Sequence, residues 1–203
     1  MSDNPAPWLD LLNSDWHDYL GSGRREDRLD DPLWLDAFLR RWRLDTGRAS
    51  RDKVVASFRG LRKTLRRLAD AFAADRKSER RDWEAVNACL KRSPFIEEAG
   101  PARTAVELRR VPLGNPLDAA LAAVASSFVE TVVRGDSSRI KICGNKDCFW
   151  VFYDGSRNRS RRWCEDTCGN LMKVRDFRRR RKKRSRQVGA GGAAGKSRGA
   201  SHS

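Results

Sequence analysis

The stretch CGNKDCFWVFYDGSRNRSRRWCEDTC, residues 143–168, contains four of the five cysteines of the chain. Cys143 and Cys148 form one close pair, Cys164 and Cys168 form a second, and fifteen residues separate the two pairs. Two close pairs of thiolates from separate local elements are a typical ligand set for a structural zinc ion. We therefore predict one Zn²⁺ bound by these four residues. Four thiolates complete the tetrahedron, so the site is structural rather than catalytic.

An iron–sulfur cluster and a pair of disulfides are the alternative uses of four cysteines. The chain lacks the closely spaced C-x2-C runs of ferredoxins. Its N-terminus, MSDNPAPWLDLLNSDW, has neither the basic start nor the apolar segment of a signal peptide, which favours a reducing compartment over the secretory route. Both alternatives stay open, but zinc is favoured. The fifth cysteine, Cys89, lies in a helical pattern and is interpreted as a small buried hydrophobe.

Local sequence around the cysteines predicts a hairpin followed by a helix. β-rich segments flank the first pair, a turn follows at Asp154-Gly155, and Cys164 and Cys168 share one face of a helix because they are four residues apart. This pattern predicts a small, treble-clef-like ββα zinc finger. So short a segment buries little core, so the metal is expected to supply much of its stability. The aromatic residues within it are interpreted as a small core rather than as base-stacking platforms: Trp150, Phe152 and Trp163.

Positive charge is concentrated at the C-terminal end. The chain has a formal net charge of +16, and residues 171–203 carry twelve Lys and Arg residues against the single acid Asp176. Residues 1–138 are close to neutral, with 24 basic and 22 acidic residues. A cationic end on a neutral body indicates a polyanionic partner, with nucleic acid, most simply duplex DNA, favoured over an acidic membrane surface.

Twelve basic residues of the finger and the following helix are the candidate phosphate contacts. Arg161 and Arg162 have a second interpretation, since four thiolates on Zn²⁺ leave two negative charges that nearby cations would compensate. The candidates are Arg157, Arg159, Arg161, Arg162, Lys173, Arg175, Arg178, Arg179, Arg180, Arg181, Lys182 and Lys183.

The preceding residues, 1–135, are predicted to form a helical domain with one short strand, which makes the fold class mainly α with a minor β component. The stripe along residues 51–74 is typical of a bundle core, although a dimer seam has the same spacing. A strand is predicted at TAVELRRVPLG, residues 104–114. The apolar stripes are Trp34, Phe38 and Trp42; Val54, Phe58, Leu61, Leu65, Leu68 and Phe72; Trp83, Val86 and Leu90; and Leu117, Leu121, Val124, Phe128 and Val132.

Domain limits follow from composition. The break at residues 135–138 separates the helical domain from a finger with its basic helix, 136–186, and residues 187–203 are predicted to be a disordered tail. The tail contains AGGAAGKS, Ala190–Ser197, which matches a loose phosphate-loop pattern. A working phosphate loop needs a strand before it and a helix after it, so we do not interpret this match as a nucleotide site.

Two function classes are disfavoured by what the sequence lacks. No run of 18 apolar residues occurs, so we expect a cytoplasmic protein with no membrane partner, associated with the nucleoid if the source is bacterial. The only histidines are His17 and His202, and no nucleophile–base arrangement is evident, so we predict that the chain is not an enzyme.

The segment CGNKDCFWVFYDGSRNRSRRWCEDTCGN, residues 143–170, resembles the CGNR zinc finger. That family combines a first cysteine pair, an aromatic stretch, an Arg-Arg-Trp-Cys block and a final Cys-Gly-Asn-Arg. The resemblance implies that Cys143, Cys148, Cys164 and Cys168 bind zinc, and it places Leu171 where the family has Arg. DLLNSDW and DDPLWLDAFLRRW are more loosely similar to the opening of the ABATE region, which precedes this finger in bacterial proteins regarded as stress-induced transcription regulators.

The favoured hypothesis is a zinc-dependent, DNA-binding transcription regulator whose basic helix contacts phosphates. The alternative is a zinc-scaffolded module that binds protein or RNA without reading a DNA sequence. A homodimer and a small-molecule effector bound to the N-terminal domain are further partners that the sequence leaves open.

Overall fold

Helix α3 (Arg51–Ala73) lies at the centre of a helical bundle in the N-terminal part of the chain. The computed structural model describes residues 5–101 and 105–193. Helix α3 contacts α1, α4 and α5, and α5 also contacts α1 and α4. The helices of this part are α1 (Pro7–Leu12), α2 (Pro32–Arg41), α3, α4 (Arg80–Lys91) and α5 (Pro116–Arg134), with a 3₁₀ turn at Arg28–Asp30.

Polar side chains cap the N-termini of helices α2, α3 and α5. The Asp31 carboxylate accepts a hydrogen bond from the Leu33 amide at 2.9 Å, and the Asn115 side chain accepts one from the Asp118 amide at 3.0 Å. Ser50 caps α3 in the same way. These side chains satisfy amides that have no partner within the helix, which stabilises each helix by about 1 kcal/mol.

The apolar stripe of α3 faces the core. Phe58, Leu65 and Leu68 are fully buried and Leu61 is nearly so. The interpretation of this stripe as bundle packing is therefore confirmed, because its side chains already have partners within the chain. Trp8 of α1 is also fully buried, and its indole N–H donates to the Thr131 hydroxyl of α5 at 3.0 Å.

Helix α5 corrects one sequence argument. Although it contains no uninterrupted apolar run of 18 residues, its length and average composition would allow it to cross a membrane. Leu121, Val124 and Phe128 are instead buried against the other helices. Its apolar character is explained by this central position in the bundle.

Among the described residues, three antiparallel hairpins accompany the helices: β1 (Asp15–His17) with β2 (Arg25–Asp27), β3 (Phe95–Pro101) with β4 (Val106–Pro112), and β5 (Ile140–Ile142) with β6 (Val151–Tyr153). The predicted strand is β4. The strands β1, β2 and β3 were not predicted. The sequence of β3 contains charged residues, Gly and Pro, which disfavour strands.

The hairpin β5–β6 packs into the same core as the helices. Ile140 and Val151 are fully buried in it. The Asn13 side chain, just after α1, donates to the Val151 carbonyl at 2.9 Å and accepts from the Val151 amide at 2.8 Å. The two predicted domains, 1–135 and 136–186, therefore share one hydrophobic core.

The last helix, α6, spans Asp166–Ala193. It continues seven residues past the predicted end of the basic helix at Arg186. Three of these seven residues are Gly, a poor helix former, so the helix propensity of residues 187–193 does not explain the extension. The rest of the predicted tail, with part of the phosphate-loop match and His202, lies outside the described residues. The overall class, mainly α with short hairpins and a C-terminal cysteine cluster, is as predicted.

Candidate metal centre and basic helix

The hairpin β5–β6 and the first turn of α6 bring the four predicted cysteines together. Cys143 follows β5, Cys148 precedes β6, Cys164 lies just before α6, and Cys168 lies in its first turn. All four are buried, and their sulfur atoms lie within 4.8 Å of one another.

The sulfur positions fit a single tetrahedral ion. The Sγ atoms of Cys148 and Cys164 are 3.6 Å apart, and those of Cys164 and Cys168 are 3.7 Å apart. A tetrahedron of sulfurs about 2.3 Å from Zn²⁺ has edges of about 3.8 Å. The cysteines are not joined as disulfides. So tight a cluster suits one ion rather than a larger iron–sulfur cluster. The site is thus that of one structural zinc ion, as predicted.

Ionisation of the four thiols depends on a cation. Hydrogen bonds from the Cys148 and Cys164 thiols lower the pKa of Cys143 to about 2. The hydrogen bond to Cys143 raises the pKa of Cys148 to about 12, contacts with Cys143 and Cys148 raise the pKa of Cys164, and burial raises that of Cys168. Bound Zn²⁺ would supply the charge that allows all four thiolates to form.

Asn145 is a supporting residue that sequence reasoning missed. It is almost fully buried, and its side-chain N–H₂ group lies 3.7 Å from the Cys168 sulfur and donates to the Tyr19 carbonyl at 2.8 Å. An N–H donor directed at a ligand sulfur stabilises the thiolate and orients it. Asn145 therefore connects the metal centre to the N-terminal part of the chain.

Trp163 is clamped between the glycines that follow two of the cysteines. A Cβ atom on Gly144 would lie 2.9 Å from the indole of Trp163, and one on Gly169 would lie 3.0 Å from the opposite end of the same ring system. The twice-repeated Cys-Gly-Asn is the sequence signal for this arrangement. Trp150, Trp163 and the fully buried Phe152 pack against the cysteine cluster, as predicted.

Family models match both halves of the chain. One, described as "Putative stress-induced transcription regulator" and named ABATE, matches residues 5–135. The chain belongs to the ABATE family. A second model, the CGNR zinc finger, matches residues 139–181 and includes all four cysteines. Comparison with curated proteins finds no match. Neither family is an enzyme class.

In this ABATE-family chain, Asp154 organises the loop between β6 and α6. Its buried carboxylate lies 2.6 Å from the Lys141 ammonium and 2.6 Å from the Ser156 hydroxyl, and it accepts from the Arg161 amide at 3.0 Å. Burial raises the pKa of Asp154, but these partners outweigh it and lower the pKa to about 2. The carboxylate holds the loop that leads to Cys164.

Three of the twelve candidate phosphate contacts hold the finger together or attach α6 to it, and a fourth, Arg179, pairs with Asp176 inside α6. The Arg161 guanidinium donates to the Trp163 and Cys164 carbonyls, which favours a structural role beside the metal. Arg159 pairs with Asp136 at 2.6 Å, and Arg175 pairs with Asp147 at 2.7 Å.

Arg175 also attaches α6 to the N-terminal part of the chain. Its guanidinium donates to the Leu20 carbonyl at 2.6 Å. It also pairs with Asp147 in the zinc knuckle, the loop between the first two cysteines, residues 143–148. Gly21 allows this approach, because it has φ of +88° and a Cβ there would lie 2.9 Å from the Asp147 carboxylate. The direction in which α6 leaves the finger is therefore determined both at the metal and at Arg175.

The other nine candidates are exposed. Arg162 lies with its guanidinium 5.4 Å from the centre of the Trp163 ring, and Arg179 pairs with Asp176 on the surface at 2.8 Å. Six of the nine, residues 178–183, form a continuous run in the middle of α6. The nine are Arg157, Arg162, Lys173, Arg178, Arg179, Arg180, Arg181, Lys182 and Lys183.

A groove of about 920 Å³ lies between α5 and the hairpin β3–β4. Small side chains of α5 form one wall, including Ala119 and Ala123, and Phe95 and Arg110 of the hairpin form another. Its volume is in the range of small-molecule pockets. The effector expected at the N-terminal domain stays a prediction, and this groove is where its binding can be tested.

Proposed function

We propose that this protein is a DNA-binding transcription regulator in which one zinc ion orients the basic helix α6 on the DNA phosphates. The observation that carries the proposal is the middle of α6. From residue 178 to residue 184 every side chain is Arg or Lys and every one is exposed. Within the described part of the chain, only Arg179 of these seven pairs with a carboxylate.

The arrangement of charge around α6 favours nucleic acid over a membrane surface. Seven consecutive basic residues surround the whole circumference of a helix, since successive positions differ by about 100°. A helix that lies on a membrane needs a broad apolar face on one side. Among the described side chains of α6, the large apolar ones that are exposed are Val174 and Phe177, close to the finger. The major groove of duplex DNA admits an α-helix and presents phosphates on both of its sides.

Zinc would act through geometry alone. The metal, bound by Cys164 and Cys168, would fix the first turn of α6, and Arg175 would fix the next two turns against the zinc knuckle. The 28-residue helix is about 42 Å long, so its basic run, residues 178–184, lies beyond these attachments. A rigidly held helix loses less entropy on binding than a free basic peptide. The proposed chemistry is binding, not catalysis.

The test is fluorescence anisotropy with duplex DNA over a series of salt concentrations. The triple variant Arg178→Gln, Arg180→Gln, Arg181→Gln should bind more weakly and reduce the salt slope, by about 0.9 for each lost phosphate contact. A matched control, Arg25→Gln, Arg51→Gln, Arg80→Gln, removes the same charge from the exposed surface of the helical domain. The control should keep the wild-type slope.

Two outcomes would contradict the proposal. Equal slopes in the two triple variants would show only a general effect of net charge. Stronger competition by single-stranded RNA than by duplex DNA would favour the alternative, a module for RNA.

Replacing Cys164 with Ser should abolish sequence-specific binding and leave weak, salt-sensitive binding by the basic segment.

A further inference from the structure

The hairpin β3–β4 projects from the helical body with nearly all of its side chains exposed. Gly100 and Val111 alone among its fourteen described strand residues are partly buried. Large exposed apolar side chains concentrate on it and beside it. They are Phe95, Ile96, Val106, Leu108 and Leu113.

Such a hairpin has little to stabilise it within one copy of the chain. A two-stranded sheet is only marginally stable in water and usually needs a third strand or a packed face. Its charges are nearly balanced, since Glu97, Glu98 and Glu107 accompany Arg109 and Arg110. This surface differs from the strongly basic α6, so a nucleic acid is not the partner that it fits.

The ladder between the strands determines which backbone groups face outward. The Leu113 amide donates to the Pro94 carbonyl at 2.7 Å, next to the pair Phe95 and Pro112. Hydrogen-bonded pairs alternate along an antiparallel ladder. Counting from Leu113, residues 111, 109 and 107 bond to β3. The N–H and C=O groups of Val106, Leu108 and Arg110 therefore face the outer edge of β4.

The two edges of the hairpin differ in their capacity to pair. The outer edge of β3 contains Pro101, which has no N–H, and neighbouring acidic residues Glu97 and Glu98. Proline and clustered charge are common means of protecting an edge strand. β4 has no proline over Val106–Val111, and its charges, Glu107, Arg109 and Arg110, are of both signs rather than of one sign, so it is the edge that is open to a strand of complementary charge.

The charges of β4 are complementary to those of a second copy. In an antiparallel pair related by a two-fold axis at Leu108, this residue lies opposite the partner's Leu108. The same register places Glu107 opposite the partner's Arg109, and Arg109 opposite the partner's Glu107. Opposite charges at directly facing positions stabilise a strand pair. The outward backbone groups of Leu108 are those that this register requires.

We propose that two copies of the chain associate through β4, forming a four-stranded antiparallel sheet across a two-fold axis. Leu108 and Val106 of both copies would form the centre of its apolar face. The dimer would carry two basic helices, one from each copy, related by the same axis. This inference goes beyond the proposed function and does not depend on it.

The test is sedimentation of the full-length, zinc-loaded chain without nucleic acid, over a range of concentrations. The wild-type chain should reach a mass about twice 23.1 kDa. Glu107→Arg places Arg opposite the partner's Arg109, and Arg109→Glu places Glu opposite the partner's Glu107. Each single variant should weaken dimerisation about tenfold or more, because both facing charge pairs become repulsive.

An equimolar mixture of the two single variants separates the interface from damage within one hairpin. In the mixed dimer the arginine introduced at position 107 of one copy faces the glutamate introduced at position 109 of the other. The native Arg109 of the first copy faces the native Glu107 of the second, so both facing pairs are again attractive. The mixture should therefore recover dimerisation although neither variant dimerises well alone.

Glu84→Arg, an exposed position on α4, is the control and should dimerise like the wild type. A monomeric wild-type chain, or a mixture that stays monomeric, would overturn the proposal.

Discussion

At the scale of single residues, the metal centre depends on two positions where no side chain fits. Gly144 and Gly169 contact opposite ends of the Trp163 indole, and this packing places the second cysteine pair next to the first. Even a methyl group at either glycine must displace the ring. The two glycines are thus required by packing rather than by backbone conformation.

Replacing Gly144 with Ala should therefore lower the stability of the zinc-loaded protein by about 1–3 kcal/mol, the usual cost of overpacking. Thermal unfolding measures the change. The control is Gly60→Ala in the middle of α3, where a Cβ has open space. That variant should be slightly more stable, because Ala is the better helix former. Equal effects of the two variants would contradict the packing argument.

Asp27 is a residue whose charge stabilises the helical domain. Burial raises the pKa of its carboxyl, but contacts with Arg62 and Arg59 outweigh it and lower the pKa to about 2. The folded-state pKa lies below the unfolded value, so this stabilisation is present above pH 4 and is lost as the pH falls toward 2.

The variant Asp27→Asn should accordingly be less stable than the wild type by about 2 kcal/mol at pH 6. The difference should shrink toward zero between pH 4 and pH 2, as the wild-type carboxyl becomes protonated. Urea unfolding of both proteins at each pH measures it, and the comparison cancels any loss of zinc common to the two. A difference that stays constant with pH would show that the ion pair is not the cause.

At the scale of elements, one side chain links the end of α1 to the backbone of β6 by hydrogen bonds. The Asn13 amide makes two hydrogen bonds to the backbone of Val151, in the manner of a neighbouring strand. Because β6 leads from the first cysteine pair, Asn13 couples the helical bundle to the finger.

We expect Asn13→Ala to destabilise the protein by about 2–3 kcal/mol, since it leaves a buried amide and a buried carbonyl without partners. The measurement is urea unfolding monitored by circular dichroism. Asn170→Ala, at an exposed position in α6, is the matched control and should change stability little. If the two variants behaved alike, the Asn13 bridge would have no role in stability.

At the scale of the whole molecule, the finger and the bundle form one unit. Ile140 and Val151 of the finger are buried in the core that α3 and α1 build, and Arg175 and Asn145 attach the metal centre to the segment after β1. A change at the metal is therefore transmitted to residues far from it in the sequence.

Removing zinc should thus loosen the helical bundle as well as the finger. Hydrogen exchange after treatment with a chelator should show faster exchange in α3, which packs against β5, and in β5 and β6 themselves. Adding Zn²⁺ back should restore protection. If α3 kept its full protection while the finger exchanged freely, the two would be independent folding units.

The local features were predictable because they depend on near neighbours in the sequence. The helices follow from apolar spacing and from caps such as Asp31 and Asn115, and the metal ligands follow from the spacing of the cysteines. The hairpin partner β3 was not predictable in this way, since its strand character comes from pairing with β4 rather than from its own residues. Helix α1 and the hairpin β1–β2 were not predicted either. Both are short, so they carry little periodic signal of their own.

What the sequence by itself determined is the ligand set, the helical stripes and the basic segment, since each is encoded by residue type at short, regular spacing. Only the tertiary structure decided that β5 and β6 complete the helical core. It also decided which arginines have partners in the finger: Arg161, Arg159 and Arg175 bond to groups of the protein, whereas Arg178, Arg180 and Arg181 project outward. The reason is physical, because the partner of a charged side chain is set by long-range contacts that residue spacing does not encode.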